Sequence, residues 1–236
     1  MNNQVETLFR QSDIAITTQQ INQFLDYEKL ILKWNQNINI TAITRSRDIY
    51  IKHFIDSAVI NQYIGNNQPY SMIDVGTGGG FPGIPMKIMD ETIQLTLLDS
   101  LKKRIAFLQA VVENLELKEV KLMHGRAEDF GSNVDFREKY DVATSRAVAS
   151  INILAEYCLP FVKIGGVFIA LKGENIEDEL KNGEKAVKLL GGEVSSVIQY
   201  VIPGTDIGRS VVIIKKMDNT PEKYPRKAGT PSRKPL

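Results

Sequence analysis

A run of glycines directly after a short apolar segment is the feature of this sequence with the clearest chemical meaning. The run reads Asp74-Val75-Gly76-Thr77-Gly78-Gly79-Gly80-Phe81-Pro82-Gly83 and follows Met72-Ile73, which has the composition of a buried strand. Glycine lets the backbone turn sharply and lets a ligand approach without interference from a Cβ atom. In an open α/β sheet such a loop lies at the carboxyl end of a strand, where ligands bind. The run predicts a binding loop, with a purely structural turn as the alternative.

The spacing of these glycines argues against two common nucleotide-binding loops. A phosphate-binding loop ends in Gly-Lys-Ser/Thr, and no such sequence follows. A dinucleotide fingerprint has glycine at its first, third and sixth positions, but counting from Gly76 the sixth position is Phe81, which would crowd the cofactor. The spacing of Asp74, Gly76, Gly78 and Gly80 instead resembles the first motif of class I S-adenosylmethionine methyltransferases. An acidic group at the strand end suits a ligand that carries a sulfonium and an ammonium group.

Two further carboxylates are expected at the same edge of the sheet. Asp99 ends the segment Leu97-Leu98-Asp99, roughly 20 residues past the loop, where an acid bonds the hydroxyls of an adenosine ribose. Capping the helix that begins near Leu101 is the structural alternative, and one carboxylate can do both. Glu128, in the segment 125–129, would frame the adenine or remain a solvated loop acid.

The elements that must position these residues alternate along the chain from residue 72 to residue 216. We predict strands at 72–75, 94–98, 120–123, 141–145, 167–171, 194–201 and 211–214, with helices such as 101–116 and 151–159 between most of them. The alternation indicates an α/β fold: a doubly wound, seven-stranded, mostly parallel sheet of the Rossmann-like class I methyltransferase type. The last two strands are joined through Pro203-Gly204 without a helix, so they should form an antiparallel hairpin at one edge. A plain dinucleotide-binding sheet normally has six parallel strands.

The segments on either side of this region differ from it in residue pattern and composition. From Ile14 to Tyr63 apolar residues recur at three- and four-residue steps, which predicts a helical extension whose first helix is capped by Thr17 or Thr18. After Lys216 the chain has four prolines and five basic residues against two acids, which predicts a basic tail. We therefore divide the chain into an N-terminal helical region at 1–65, a cofactor-binding domain at 66–216 and a tail at 217–236.

Composition narrows the class of protein without naming a partner. The 236 residues carry a net charge of +1, with 43% hydrophobic and 24% charged residues, so nucleic acid would have to be bound by local clusters of charge. The first ten residues lack the apolar core of a signal peptide, and no run of about 18 apolar residues occurs, so we expect a soluble, cytoplasmic protein with no membrane span. Cys158, the only cysteine, is expected to be a core residue, and no metal site is expected because no residues have metal-ligand spacing.

Segments along nearly the whole chain resemble one particular family. They are Trp34-Asn35, Asn39-Ile40-Thr41, His53 to Ser57, Asp74 to Pro85, Leu97 to Arg104, Gly125 to Glu128, Ser145-Arg146-Ala147, Lys172-Gly173, Tyr224 to Lys227 and Gly229-Thr230-Pro231. In this order they closely resemble the rRNA small subunit methyltransferase G family, also called the glucose-inhibited division protein B family. Only some members of that family carry a basic tail.

The resemblance implies a reaction, a cofactor and a partner. The reaction is methyl transfer from S-adenosylmethionine to the N-7 atom of one guanine, position 527 of 16S rRNA. The partner is 16S rRNA or a precursor of the small ribosomal subunit, and we expect a monomer. The cofactor contacts that the resemblance implies are Gly76, Phe81, Ala127, Glu128 and Arg146.

The end of the fourth predicted strand bears on the target atom. Methylation of an exocyclic base amine usually requires an Asn/Asp-Pro-Pro-aromatic turn there, whereas this chain has Ser145-Arg146-Ala147. Methylation of a pyrimidine carbon requires a cysteine nucleophile, and Cys158 is predicted to lie along a helix. Guanine N-7 has an in-plane lone pair and no proton, so no general base is needed and alignment can supply the catalysis.

Arg146 is the catalytic residue that we expect at this position. Its guanidinium would position the guanine edge or the methionine carboxylate of the cofactor. A structural ion pair with Glu128 or Asp141 is the alternative.

Basic residues near the predicted loop suggest an RNA-binding face. One cluster lies near the end of the N-terminal helices (Arg45, Arg47, Lys52, His53), and another begins a predicted helix (Lys102, Lys103, Arg104). The RNA contacts that we predict are His53, Arg104, Lys172, Arg226 and Lys227. Each cluster alone is also compatible with an ordinary solvated surface, and a packed histidine bonded to Asp56 would explain His53 equally well.

Two other classes of function stay open at the level of sequence. One is a non-catalytic RNA-binding protein that keeps the fold. The other is a nicotinamide-dependent oxidoreductase, which Phe81 and the terminal hairpin disfavour. Titration with S-adenosylmethionine and with a nicotinamide cofactor separates the methyltransferase from the oxidoreductase. Saturable S-adenosylmethionine binding without a methylated product would favour the RNA-binding protein.

Overall fold

A seven-stranded sheet forms the centre of the computed structural model, which describes residues 2–64, 69–146 and 149–236. Its strands are β1 (Ser71–Val75), β2 (Gln94–Asp99), β3 (Val120–His124), β4 (Tyr140–Arg146), β5 (Val162–Gly173), β6 (Gly192–Val201) and β7 (Gly208–Lys216). The spatial order is β3-β2-β1-β4-β5-β7-β6, and only the β7 pairings in this order are antiparallel. The predicted α/β fold and all seven predicted strands are confirmed.

The terminal hairpin is confirmed, but its arrangement in the sheet was not predicted. β7 lies between β5 and β6, and β6 is the edge strand. The sequence accounts for this order, because Val211, Val212 and Ile214 form an apolar run that is fully buried, which is typical of an interior strand. Burial alternates along most of β6, as expected for an edge strand with one face on the core.

Helices cover both faces of the sheet. The main ones are α1 (Asn2–Arg10), α2 (Thr18–Asn35), α5 (Gly83–Met89), α6 (Lys102–Asn114), α8 (Ile151–Cys158) and α9 (Glu177–Leu189), and the short ones are α3 (Ser46–Ile49), α4 (Asp56–Ala58), α7 (Ala127–Gly131) and α10 (Thr230–Arg233). A π-helical turn (Tyr50–Ile55) precedes α4, and 3₁₀ turns occupy Val59–Tyr63 and Leu159–Phe161. Thr17 caps α2 in a reciprocal capping box with Gln20, as predicted.

Each face of the sheet has its own apolar core. The N-terminal helices share one core with α5, α6 and one face of the sheet, while α8, α9 and Tyr224 pack on the other. Cys158 is fully buried in the second core, as predicted. The predicted boundary between residues 65 and 66 lies outside the described residues. Among the helices described, none is long and apolar enough to cross a bilayer.

The predicted tail is not a free extension. Thr220, Tyr224 and Pro231 are buried, and the Arg137 guanidinium donates to the carbonyl oxygens of Thr220 and Tyr224. The sequence pattern missed this packing because the segment has no periodicity. Its contacts are made largely through backbone groups and isolated side chains.

Candidate functional site

The glycine loop after β1 is held in place by a buried carboxylate. Asp74 has no exposed surface, and its Oδ2 accepts hydrogen bonds from the Thr77 hydroxyl (2.7 Å) and from the Gly83 N–H (3.0 Å). Burial raises the pKa of Asp74 to about 6, against the effect of these hydrogen bonds. Its Oδ1 is buried and has no hydrogen-bond partner in the described part of the chain. Asp74 thus lies beneath the loop and shapes it.

The N-terminal helices close one side of this loop. The Tyr27 hydroxyl of α2 donates to the Gly79 carbonyl. A Cβ atom at Gly80, where φ is +92°, would lie 2.6 Å from the Tyr27 hydroxyl, so a side chain cannot be accommodated there. The Phe81 ring stacks on Tyr27, with centroids 5.6 Å apart, and on His53, with centroids 4.4 Å apart. The glycine loop and the helical extension are therefore packed directly against each other.

A cleft of about 730 Å³ opens at the carboxyl edge of the parallel strands, within the size range of small-molecule sites. Eight of the predicted site residues line it: His53, Gly76, Gly78, Phe81, Asp99, Arg104, Arg146 and Lys172. The other lining residues are Ile40, Thr41, Ile43, Lys52, Asp56, Thr77, Gly79, Ser100, Leu171, Gly173 and Arg209. The structure therefore gathers residues from seven separate sequence segments around one cavity.

Asp99 lies at the end of β2 with its carboxylate at the cleft. Its Oδ2 accepts from the Gly78 N–H (2.9 Å) and from Arg104 Nη1 (3.3 Å), and its Oδ1 accepts from the Leu101 N–H (2.9 Å). The carboxylate thus also supports the start of α6, the structural role that the sequence left open. A carboxylate offers about four lone-pair sites, so three hydrogen bonds leave room for one more donor.

Arg146 ends β4 and is held from several directions. Its Nη1 donates to Ser57 Oγ (3.2 Å) and lies 3.5 Å from Asp56 Oδ2, while its Nη2 lies 3.2 Å from His53 Nδ1. Its guanidinium also lies over the Phe81 ring, 4.9 Å from the centroid. The alternative ion pair predicted with Glu128 or Asp141 is wrong in its partner, because the carboxylate beside Arg146 is that of Asp56.

His53 is neutral in this setting. Burial, together with the positive charge of Arg146, lowers its pKa to about 3. A guanidinium can only donate, so His53 Nδ1 carries a lone pair and Nε2 donates to Thr41 Oγ1 at 2.8 Å. His53 therefore adds no positive charge to the cleft, and it bonds Thr41 and Arg146 where the structural alternative expected Asp56. Its contact with RNA stays a prediction.

The cationic side chains of the cleft differ in how they are neutralised. Five of them line it against two carboxylates: Lys52, Arg104, Arg146, Lys172 and Arg209 face Asp56 and Asp99. Lys52 pairs with Asp48, Arg104 with Asp99 and Lys172 with Glu179, at 3.0, 3.3 and 2.6 Å. Arg146 and Arg209 share Asp56, each at 3.5 Å. The excess positive charge therefore lies at the two arginines.

The sequence did not indicate Arg209 as a site residue. Its partner Asp56 was within a segment that carried the family resemblance. Arg209 follows the hairpin turn and is opposite Gly173 of β5 in the register. It reaches the cleft only because β7 runs antiparallel, which places its first residues beside the last residues of the parallel strands. No local motif marks such a residue.

Five predicted site residues do not line this cleft: Asp74, which lies beneath the glycine loop, and Ala127, Glu128, Arg226 and Lys227. Glu128 is buried, and its Oε1 accepts from the Gly229 N–H at 2.8 Å. Arg226 pairs with the buried Glu156. Lys227 is exposed. The carboxylate of Glu128 and the guanidinium of Arg226 are thus both used to hold the C-terminal segment.

The residues of the cleft fit a nucleoside cofactor that carries an amino acid. A Cβ atom at Gly78 would meet nothing closer than 3.9 Å, so the loop leaves open space at this glycine. Asp99 offers a carboxylate at the distance along the chain expected for a ribose. Asp74 Oδ1, buried and without a partner among the described residues, adds negative character under the loop, which suits a cationic sulfonium or ammonium.

Comparison with known proteins identifies relatives along most of the chain. A family model described as rRNA small subunit methyltransferase G matches residues 20–206. The chain is 54% identical over 224 residues to the ribosomal RNA small subunit methyltransferase G of Alkaliphilus oremlandii, covering 95% of this chain and 94% of that protein. It is 48% identical to the protein of the same name from Acetivibrio thermocellus, covering 94% and 91%.

Solved structures show the same fold at much lower identity. The geranyl diphosphate C-methyltransferase of Streptomyces coelicolor A3(2) matches with a TM-score of 0.52 at 10% identity, over 81% of this chain and 98% of that one. At this identity the likeness concerns the fold alone.

Proposed function

Because the chain belongs to the rRNA small subunit methyltransferase G family, we propose that it transfers the methyl group of S-adenosylmethionine to the N-7 atom of a guanine in 16S rRNA, position 527. The acceptor is this RNA or a precursor of the small ribosomal subunit, which places the reaction in the cytoplasm, and the enzyme acts as a monomer.

One observation carries the proposal for this site. One edge of the cleft is formed by Gly76, Gly78 and Asp99, and a second, cationic edge is formed by Arg146 and Arg209. The first edge suits the cofactor, because its open glycines and ribose-binding acid match an adenosine. The second edge suits RNA, whose backbone is anionic and whose guanine presents two acceptors, O6 and N-7.

The chain contributes alignment and not proton transfer. Bound S-adenosylmethionine supplies a methyl group on a sulfonium, which requires only a nucleophile in line with it. Guanine N-7 already has its lone pair in the plane of the ring. Arg146 is placed to donate to guanine O6 while N-7 stays free. His53, which lines the cleft, is neutral and engaged with Arg146 and Thr41, so it stabilises the arginine instead of acting as a base.

Ala127 and Glu128 are proposed to lie beside the adenine of the cofactor. α7 begins at Ala127, directly after β3 and beside the strand that ends in Asp99. The Glu128 carboxylate is engaged by Gly229, so a contact with adenine would come from the backbone of this turn. Arg104, Lys172 and Lys227 are the side chains that we propose to contact RNA phosphates.

Mapping of the methylated nucleoside tests the proposal. The full chain is incubated with methyl-labelled S-adenosylmethionine and either naked 16S rRNA or small-subunit particles, and the RNA is digested and analysed. We expect 7-methylguanosine at one position, and none with Arg146→Ala. A methylated exocyclic amine or a 5-methylpyrimidine would contradict the proposed target atom. Saturable cofactor binding without a methylated product in either arm would favour the non-catalytic RNA-binding alternative.

A further inference from the structure

We infer that Asp56 is a positioning residue that fixes Arg146 and Arg209 as a pair on the acceptor side of the cleft. Asp56 belongs to α4, in the N-terminal helical region, and only 2% of its surface is exposed. The inference rests on the proposed function, because it assigns a role in the same reaction.

Three donors from three strands converge on this carboxylate. Arg146 Nη1 and Arg209 Nε both lie 3.5 Å from Asp56 Oδ2, and the Tyr200 hydroxyl donates to Oδ1 at 2.8 Å. Burial, followed by the negative charge of Asp56, raises the pKa of Tyr200, so its hydroxyl keeps the proton that it donates. Asp56 thereby connects the ends of β4, β6 and β7 to the helical extension.

The two arginines need such a partner. An arginine side chain loses rotamer entropy when it is ordered, and two neighbouring guanidinium groups repel each other. One carboxylate between them holds both in place yet neutralises only one positive charge. The remaining charge stays available to an anionic ligand group, in contrast to Lys52, Arg104 and Lys172, which each have their own carboxylate.

The position of Arg209 in the sheet indicates which ligand supplies that anion. The glycine loop follows β1, whereas Arg209 begins β7, three strands further along the sheet. At about 4.8 Å per strand the backbone of Arg209 lies roughly 14 Å from the strand that carries the loop, and its guanidinium approaches the site through the Asp56 that it shares with Arg146. We assign the anion beside Arg209 to the RNA acceptor, as a backbone phosphate, and the methionine carboxylate of the cofactor to the side nearer to the loop.

The substitution Asp56→Asn separates positioning from charge. It keeps the size of the side chain and removes its negative charge, so the arginine pair loses its anchor but gains net positive charge. We expect kcat to fall at least about tenfold because the acceptor is misaligned. The affinity for a 16S rRNA fragment should stay equal or become several-fold tighter, because the cleft becomes more cationic. A merely structural residue would not lower turnover while RNA binding is kept.

Asp48→Asn is the matched control. Asp48 lies eight residues earlier, forms an ion pair with the cleft residue Lys52, and does not touch either arginine. Its replacement removes the same charge from the same region. Because the contacts of Asp56 with both arginines remain, kcat should stay near that of the wild type. A loss of kcat equal to that of Asp56→Asn would overturn the inference, because it would assign the effect to charge alone.

A readout that does not depend on turnover separates failure of this inference from failure of the proposed function. The His53 Nδ1 lone pair accepts a hydrogen bond from Arg146, so its ¹⁵N shift reports the position of that guanidinium. We expect the shift to change in Asp56→Asn and not in Asp48→Asn. An unchanged His53 signal in Asp56→Asn would overturn the inference, even if the wild type methylated another atom.

Tyr200→Phe provides a milder perturbation in case Asp56→Asn fails to fold. It removes one hydrogen bond to Asp56 and no charge. We expect kcat to fall by up to about tenfold, with unchanged affinity for RNA and a smaller change in the His53 signal. Wild-type turnover and an unchanged His53 signal in this variant would also overturn the inference.

Discussion

Replacement of Arg226 by alanine distinguishes a structural role of the C-terminal segment from an RNA-binding one. The sequence marks Arg226 as part of a basic tail, whereas the structure pairs it with Glu156. Its Nε and Nη2 lie 2.9 and 2.6 Å from the two carboxylate oxygens, and its backbone N–H donates to Oε1 at 2.8 Å. Glu156 is completely buried on α8, and Arg226 is 24% exposed.

The burial of Glu156 sets the magnitude of the effect. Removal of one partner leaves an uncompensated charge in the interior, which typically costs about 3–5 kcal/mol. For a chain of this size each kcal/mol lowers Tm by roughly 2–4 °C. We therefore expect Arg226→Ala to lower Tm by about 10 °C. The double variant Arg226→Met/Glu156→Leu should recover most of this loss, because a buried ion pair can be replaced by packed apolar groups at little cost.

Thermal unfolding and RNA binding measured on the same samples decide between the two roles. Lys227→Ala is the control, since Lys227 is adjacent and exposed and its removal deletes the same charge. We expect Lys227→Ala to melt like the wild type. An Arg226→Ala variant that melted within about 2 °C of the wild type but bound RNA more weakly would refute the structural role.

Three further predictions concern the cleft. Arg146→Lys should lower single-turnover methyl transfer about 100-fold, because one ammonium group cannot reach both His53 Nδ1 and Ser57 Oγ; a rate near that of the wild type would contradict this role. The lowered pKa of His53, about 3, means that its NMR signal should not titrate between pH 5 and 8, with exposed His124 as the second histidine signal; a midpoint near 6.5 would contradict the burial argument. The raised pKa of Asp74, about 6, gives a stabilising contribution that is present below its unfolded value of about 3.9 and is lost as pH rises through 6. The stability of the wild type relative to Asp74→Asn, measured by urea unfolding, should therefore fall by about 2 kcal/mol from pH 4 to pH 7, and a constant difference would disprove the shift.

The fold followed from the sequence because its pattern is local. Each strand contains a short apolar run between turn residues, so the sequence predicts all seven strands, although β5 begins five residues and β7 three residues earlier than expected. The insertion of β7 between β5 and β6 depends on which chain segments pair in space. The signal available in the sequence was the apolar run that contains Val211 and Val212, two successive residues that are buried on opposite faces of the sheet.

The site was partly predictable for the same reason. Asp74, Gly76, Gly78 and Asp99 follow strand ends, and parallel strands bring such positions to one edge. The partner of Arg146 was not predictable, because Asp56 lies 90 residues away along the chain and reaches the cleft only through packing of the helical extension. The neutral state of His53 likewise depends on burial and on Arg146, neither of which a local pattern contains.

A crystal structure of the full chain with S-adenosylhomocysteine tests the central claim most directly. We expect a ribose hydroxyl within hydrogen-bond distance of Asp99, the amino-acid portion along Gly76 and Gly78, and the sulfur facing the side of the cleft that holds Arg146. Ligand bound at another surface, or a cleft that remains closed at saturating ligand, would contradict the account.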